Sequence, residues 1–376
     1  MAATRAEIIN ISSAAKKRSG DKLLLFSVIF LSVLGVVFVY SASNYFSESA
    51  YGNGFYVAGK HLVGLLLGFA AMAFGCFFDY KKYEKIKLPS IIFSVILLLL
   101  VFTPLGVENY GAKRWISVGP ITVQPSEIAK IGYIIFCSAY FAKNPERFKT
   151  FKGILPIILS GGAICLCIIL EPNMSITMCF GMLMLIILFA FGAKMKHFAI
   201  ILIPIIAMVP ILIIAEPYRL NRLSAFLNPW ASPKGEGYQL LQSLYALGSG
   251  GWFGVGIFNS RQKFKFLPFS ESDFILAVIG EEIGFIGLII LFFLMFFIFY
   301  RGLKIASRCK TAFGFGMAVG ISSIFILQTI INILVVTGSI PPTGLPLPLV
   351  SAGNTSLIVF LFSFGVLYNV SKDVDN

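Results

Sequence analysis

Asp273 stands where a polar, basic segment gives way to a long apolar run, Phe274-Ile275-Leu276-Ala277-Val278-Ile279-Gly280 and onward. The segment before it supplies Arg219, Arg222, Lys234, Arg261, Lys263 and Lys265. An acid at a helix start beside so many cations has two compatible readings. Ser270-Glu271-Ser272-Asp273 fits a capping box, in which the acid complements the helix dipole. The same geometry fixes a carboxylate at the membrane surface, next to a loop able to recognise an anionic, lipid-borne substrate at the outer leaflet. Headgroup contact is the plainer use of those cations.

Other polar groups fall where polarity is costly. In Gln124-Pro125-Ser126-Glu127-Ile128-Ala129-Lys130 an acid and a base lie three residues apart, a spacing that puts them on one helix face as an ion pair. That pair is structural, or it also lines a substrate cavity. Glu281 and Glu282 lie about 12 Å deeper than Asp273 at 1.5 Å per residue, so at least one points into the helix bundle. Glu171 is expected in a solvated outer turn, and Arg114-Trp115 at the outer interface. The run Gly248-Ser249-Gly250-Gly251-Trp252-Phe253-Gly254 lacks the strand and the Lys-Ser/Thr of a nucleotide loop, so its glycines serve turning and packing. Tyr238 to Leu247 reads as an amphipathic interfacial helix, and the proline-rich stretch 337–348 as a rigid connector or cap. The six cysteines form no metal-ligand pattern and read as inert buried thiols.

The elements that must position these residues follow from composition. With 376 residues, 57% hydrophobic and 12% charged, the chain cannot hide its apolar surface from water, and lipid must be its solvent. Helix-length apolar runs without strand-period alternation exclude a β-barrel. The reading is an all-α polytopic membrane protein with about ten spans, near 23–40, 61–79, 88–105, 127–142, 153–171, 174–192, 197–215, 272–300, 312–337 and 349–370. Pro204 and Pro210 should bend the seventh. Residues 1–22 and 371–376 form cytoplasmic tails around one membrane domain, 23–370. With the N-terminus inside, about twenty of the 30 Lys and Arg residues fall on the cytoplasmic side. That places the large 216–271 loop, between helices 7 and 8, outside. The +13 charge is therefore mostly topology, spread over many short loops, and nucleic acid is not a partner.

Taken together, several motifs resemble the SEDS family (shape, elongation, division and sporulation). They include Val39-Tyr40-Ser41-Ala42-Ser43, Arg114-Trp115, Gln124-Pro125-Ser126-Glu127 with Ala129-Lys130, and Tyr218-Arg219 with Arg222. Asn228-Pro229-Trp230, Gly237-Tyr238-Gln239, Gln242-Ser243-Leu244, Ser260-Arg261-Gln262-Lys263, Asp273-Phe274 and Pro341-Pro342-Thr343-Gly344 continue the match. Ser-Arg-Gln-Lys and Gln-Ser-Leu-Tyr-Ala look closer to the FtsW division branch, or its sporulation relative, than to the RodA elongation branch. The chain departs from the family at Asn173, where an aspartate is usual, in Phe269-Ser270-Glu271-Ser272, and in Ser351-Ala352-Gly353-Asn354.

The resemblance implies a peptidoglycan glycosyltransferase that polymerises lipid II at the outer face of the bacterial cytoplasmic membrane, for division or sporulation. It implies Asp273 as general base. Arg219, Arg222 and Lys263 would neutralise the leaving pyrophosphate, Glu127 and Lys130 would shape the cavity wall, and Arg114, Gln242 and Ser243 would touch substrate. It implies no resident cofactor beyond an optional divalent cation, Mg or Mn. The implied partners are undecaprenyl-pyrophosphate-linked glycan, a class B penicillin-binding transpeptidase and other division proteins, at the septum. A lipid II transporter and a non-catalytic scaffold for a transpeptidase are the alternatives.

Overall fold

The computed structural model describes residues 19–109, 112–118, 121–214 and 217–374. Ten long helices occupy the ten stretches expected from the apolar runs: α1 Lys22–Tyr51, α2 Tyr56–Phe77, α3 Lys87–Leu100, α4 Pro125–Lys143, α5 Phe151–Leu170, α6 Met174–Ala190, α7 Met195–Ile214, α10 Ile275–Ser307, α11 Ala312–Val336 and α12 Asn354–Ser371. Two shorter helices, α8 Pro217–Leu227 and α9 Tyr238–Gly250, lie in the long loop. Six of these helices (α1, α2, α5, α10, α11 and α12) are long and apolar enough to cross a membrane by length and composition. Of the other four, α3 has 14 residues, α6 has 17, and α4 holds Glu127 and Lys130. Pro204 and Pro210 both fall inside α7.

One feature was not legible in the periodicity. Three short strands form a small antiparallel sheet in the order β1–β2–β3 (Gly106–Asn109, Ala112–Val118, Ile121–Val123). Gly106 pairs with Ile116, and Ile116 with Val123. These strands of three to seven residues are too short for an alternating pattern to register. Thr355 ties the sheet to the start of α12, accepting from the Gln124 amide at 3.2 Å and donating to the Thr122 carbonyl at 3.2 Å.

α11 is the buried centre and touches α4, α6, α9, α10 and α12. α2 and α12 form the most extensive helix pair. Their backbones approach closely because a Cβ on Gly75 would meet the Phe362 carbonyl oxygen at 2.8 Å, the small-residue packing expected between helices in lipid. Both described ends of the chain gather at one face. There Asp21 pairs with Arg301 at 2.7 Å, the Asp21 amide donates to Ser371 Oγ, and Lys81 pairs with Asp373 at 2.8 Å. Arg301 and Lys81 of this face are among the basic residues that the charge count assigns to one side; the sheet and Asp273 lie at the opposite face.

α10 is broken at Gly284, whose φ of 68° and ψ of −173° interrupt the ladder. The glycine cluster of the long loop repairs the break. The Val255 and Gly256 amides donate to the Glu281 and Glu282 carbonyls at 2.9 and 3.0 Å, and the Phe285 and Ile286 amides donate to Gly251 and Trp252 at 2.9 and 3.1 Å. Backbone groups freed at membrane depth need such partners. The close approach requires Gly254, which has φ 81° and whose Cβ would collide with the Glu282 carbonyl. Gly254→Val is therefore expected to cost at least about 2 kcal/mol of stability, read as a lowered thermal midpoint in detergent.

Candidate active site

Asp273 lies in the turn just before α10. The capping-box expectation fails: the N-cap is Phe274, and no side chain caps the helix. The turn is instead tied down through its carbonyls. Asn332 Nδ2, from α11, donates to the Asp273 and Leu345 carbonyls, both at 2.8 Å. Ser351 Oγ donates to the Ser272 carbonyl at 2.7 Å, and the Ala352 amide to Glu271 at 2.9 Å. These bonds hold the turn by its backbone, and Asp273 is half-buried.

The proline-rich stretch is the wall facing that carboxylate, and not a remote connector. Gly344 has φ 71°, a backbone that favours glycine, and a Cβ there would stand in ordinary contact with Asp273 Oδ2 at 3.4 Å. Arg222 reaches the same loop from α8, with Nη1 3.5 Å from the Pro342 carbonyl. Burial pushes the Asp273 carboxyl up to about 6; Glu271 adds to the rise, while the Ser272 hydrogen bond and the Arg222 and Arg114 charges oppose it. Burial likewise raises Glu271.

Glu127 and Lys130 are buried beneath this loop and do not form an open cavity wall. They pair at 2.7 Å, and each is 1% exposed. Lys130 Nζ also donates to Gln328 Oε1 at 3.0 Å, and Gln328 Nε2 donates to the Pro346 carbonyl at 3.3 Å. The pair therefore supports the proline loop through Gln328. Gln328 and Asn332 went unread in the sequence. Their signal was there: two amides four residues apart, on one face of an apolar helix.

Several expected contacts fall elsewhere. Lys263 is buried, pairs with Glu282 at 3.2 Å and donates to Phe258 O and Ser41 Oγ, so it is committed to the loop's own foundation. Ser243 is fully buried and donates to the Val336 carbonyl at 2.8 Å, fastening α9 to α11. Gln242 on α9 is half-buried. Arg219 lies on α8, with its side chain outside the described atoms. Glu281 and Glu282 both point inward. Glu281 accepts from Ser260 Oγ and the Arg261 and Gln262 amides; Glu282 accepts from Ser41 and Lys263.

Arg114, on β2, donates to the Glu171 and Pro172 carbonyls at 3.3 and 2.5 Å. Glu171 is not the solvated turn residue expected. It is 1% exposed, and burial lifts its carboxyl to about 8 against the pull of Arg114. Among the described residues no cluster of three or more His, Cys, Asp or Glu side chains could hold a metal ion. The cysteines are all free, four of them buried.

Fold and site together define a polytopic helical membrane protein with a carboxylate set among cations at one face of its bundle. A family model described as cell cycle protein, FtsW/RodA/SpoVE, matches residues 21–376, and the chain belongs to that family. It is 37% identical to stage V sporulation protein E of Bacillus subtilis (strain 168), over 95% of this chain and 98% of that protein. It is 35% identical to the probable peptidoglycan glycosyltransferase FtsW of Geobacter sp. (strain M18), over 93% and 96%. A chain in a solved structure on the coordination of polymerization and crosslinking by a peptidoglycan synthase complex shares the fold, with a TM-score of 0.78, 26% identity and coverage of 94% and 98%. The rod shape determining protein RodA of Thermus thermophilus shares it at a TM-score of 0.69 and 24% identity, over 95% and 98%.

Proposed function

We propose that this protein is a peptidoglycan glycosyltransferase that polymerises lipid II at the outer face of the cytoplasmic membrane, with Asp273 as its general base. The observation carrying this reading is the half-open Asp273 carboxylate, its backbone clamped by Asn332 and Ser351 while its oxygens face the glycine of the proline loop. In the reaction, the 4-hydroxyl of lipid II attacks the anomeric carbon of the growing strand. The new carbon–oxygen bond forms as the bond to undecaprenyl pyrophosphate breaks, with inversion. The hydroxyl proton passes to Asp273, and the electron pair leaves with the pyrophosphate. A sugar leaving group needs an acid on its oxygen; a pyrophosphate leaves well without one, so a single carboxylate with cations suffices. Arg222 and Arg114 act electrostatically on the same site, and Arg219 shares a helix with Arg222. We assign a divalent cation, Mg or Mn, to the substrate's pyrophosphate and not to ligands on this chain.

A carboxyl near 6 is ionised at neutral pH yet more basic than an ordinary aspartate, which suits proton abstraction. Turnover is expected to rise with pH through an acidic limb near 6. Arg222→Ala removes a charge that holds the acid down, so it should shift that limb upward. It should also weaken use of lipid II more than it lowers the thermal midpoint. A pH–rate profile of both proteins checks this.

The deciding experiment is glycan synthesis by purified protein from lipid II, alone and with a class B penicillin-binding transpeptidase. Such a transpeptidase is the proposed partner, and the division or sporulation septum the proposed site of work. A lipid II transporter or a scaffold would make no glycan in that assay.

A further inference from the structure

A lateral groove of about 570 Å³ opens between α2, α3, α4 and α12, within the roughly 300–1,000 Å³ typical of small-ligand sites. Tyr83 and Ile86 close one end, Phe93 and Ile131 form its middle, and Val359 and Phe362 line the α12 side. Its walls are apolar, as a hydrocarbon chain requires. Its two serines, Ser90 and Ser94, donate their hydroxyls to backbone carbonyls, whereas a third hydroxyl is unmatched. Tyr83 is 6% exposed, with its ring set between Phe78 and Phe362, and its hydroxyl has no hydrogen-bond partner among the described residues.

That hydroxyl lies at the basic face. The turn carrying it, 80–86, is fastened there by Tyr80, which donates to Asp373 at 2.9 Å. Of the lysines on and beside this turn, Lys81 pairs with Asp373 and Lys82 lies over the Phe78 ring. Lys85 and Lys87 flank the groove residue Ile86, and neither belongs to an ion pair among the described residues. Glu84 is the acid on the same turn, outnumbered by the cations around it. An apolar slot, an unmatched donor and two cations next in sequence to a lining residue thus share one turn.

We propose that this groove holds an acyl chain of an anionic glycerophospholipid from the inner leaflet, its phosphate against Lys85 and Lys87 and a headgroup or ester oxygen accepting from Tyr83. The lipid tail of the polymerisation substrate is the competing occupant. Its charged head belongs at the Asp273 face, whereas the groove's cations and lone donor lie at the opposite one.

The test is native mass spectrometry of the full chain extracted from vesicles of equal phosphatidylglycerol and phosphatidylcholine. One phosphatidylglycerol per protein should be retained in preference to phosphatidylcholine. Replacing both lysines, Lys85→Ala with Lys87→Ala, should lower that preference by about 30-fold, the effect of two basic residues near an anionic surface. Tyr83→Phe, which keeps the ring, should lower retention of phosphatidylglycerol by about fivefold. Ala71→Phe fills the groove and should abolish retention of either lipid. Lys85 is exposed and Lys87 only partly buried, so the lysine variants keep the test decisive if the filled groove misfolds. Equal retention of the two lipids, retention unchanged by the lysine pair, or a co-purified polyprenyl phosphate in place of the phospholipid would each overturn the proposal.

Discussion

Asp273→Asn is expected to abolish glycan polymerisation from lipid II while leaving a folded protein at least as stable as the parent. The side chains are nearly the same shape, and the Asn332 and Ser351 bonds that hold the turn go to carbonyls which the substitution does not touch. What disappears is the ability to accept a proton, a contribution of about 10²–10⁴ in rate. The stability sign follows from linkage. The carboxyl moves from 3.8 to about 6 on folding. Between these values the native state keeps a proton that the unfolded chain has lost, so stability falls as pH rises through the window. At neutral pH the ionised acid is a net cost to the fold, and asparagine removes it. Glycan assays with thermal unfolding at pH 5 and pH 7.5 check both halves. Near-normal polymerisation by the variant would remove the assignment. A stability loss as large as the activity loss would recast Asp273 as a structural residue.

Helix positions were legible because an apolar run is a one-dimensional signal. An apolar run long enough to span lipid has few other fates, and each such run holds a helix, six of which are, among the described residues, long and apolar enough to cross a membrane. The identity of Asp273 came from its position at the loop–helix junction and from the surrounding motifs. What supports that acid was not legible, since the support crosses the bundle. Gln328 and Asn332 of α11 reach a loop 13 to 18 residues further on, and no local pattern links them. Lys263 shows the opposite failure. Arg261 and Lys265 stand two residues to either side, so it reads as one of a set of surface charges, yet it is buried against Glu282 of α10. Glu171 was misread similarly, because a turn between helices is solvated only when no strand lies over it. Here Arg114 on β2 lies against that turn.

Lys130→Met is expected to destabilise the protein by roughly 3–5 kcal/mol, the cost of leaving a buried carboxylate without its counter-charge. Glu127 and Lys130 are each 1% exposed, and Glu127 Oε2 already has no partner among the described residues, so loss of the amine strands the whole group. Gln328 would lose the donor that fixes its amide, and with it the bond to Pro346 that supports the loop beside Asp273. Polymerisation should therefore fall in Lys130→Met even at temperatures where the protein stays folded. Adding Glu127→Gln removes the stranded charge and should recover most of the lost stability. Activity need not return, because Gln328 still lacks its partner. Thermal unfolding and glycan synthesis on the two single variants and the double separate these effects. Should the double variant regain activity along with stability, the pair would be a stability element alone, and the chain of contacts from Lys130 to the proline loop would carry no catalytic geometry.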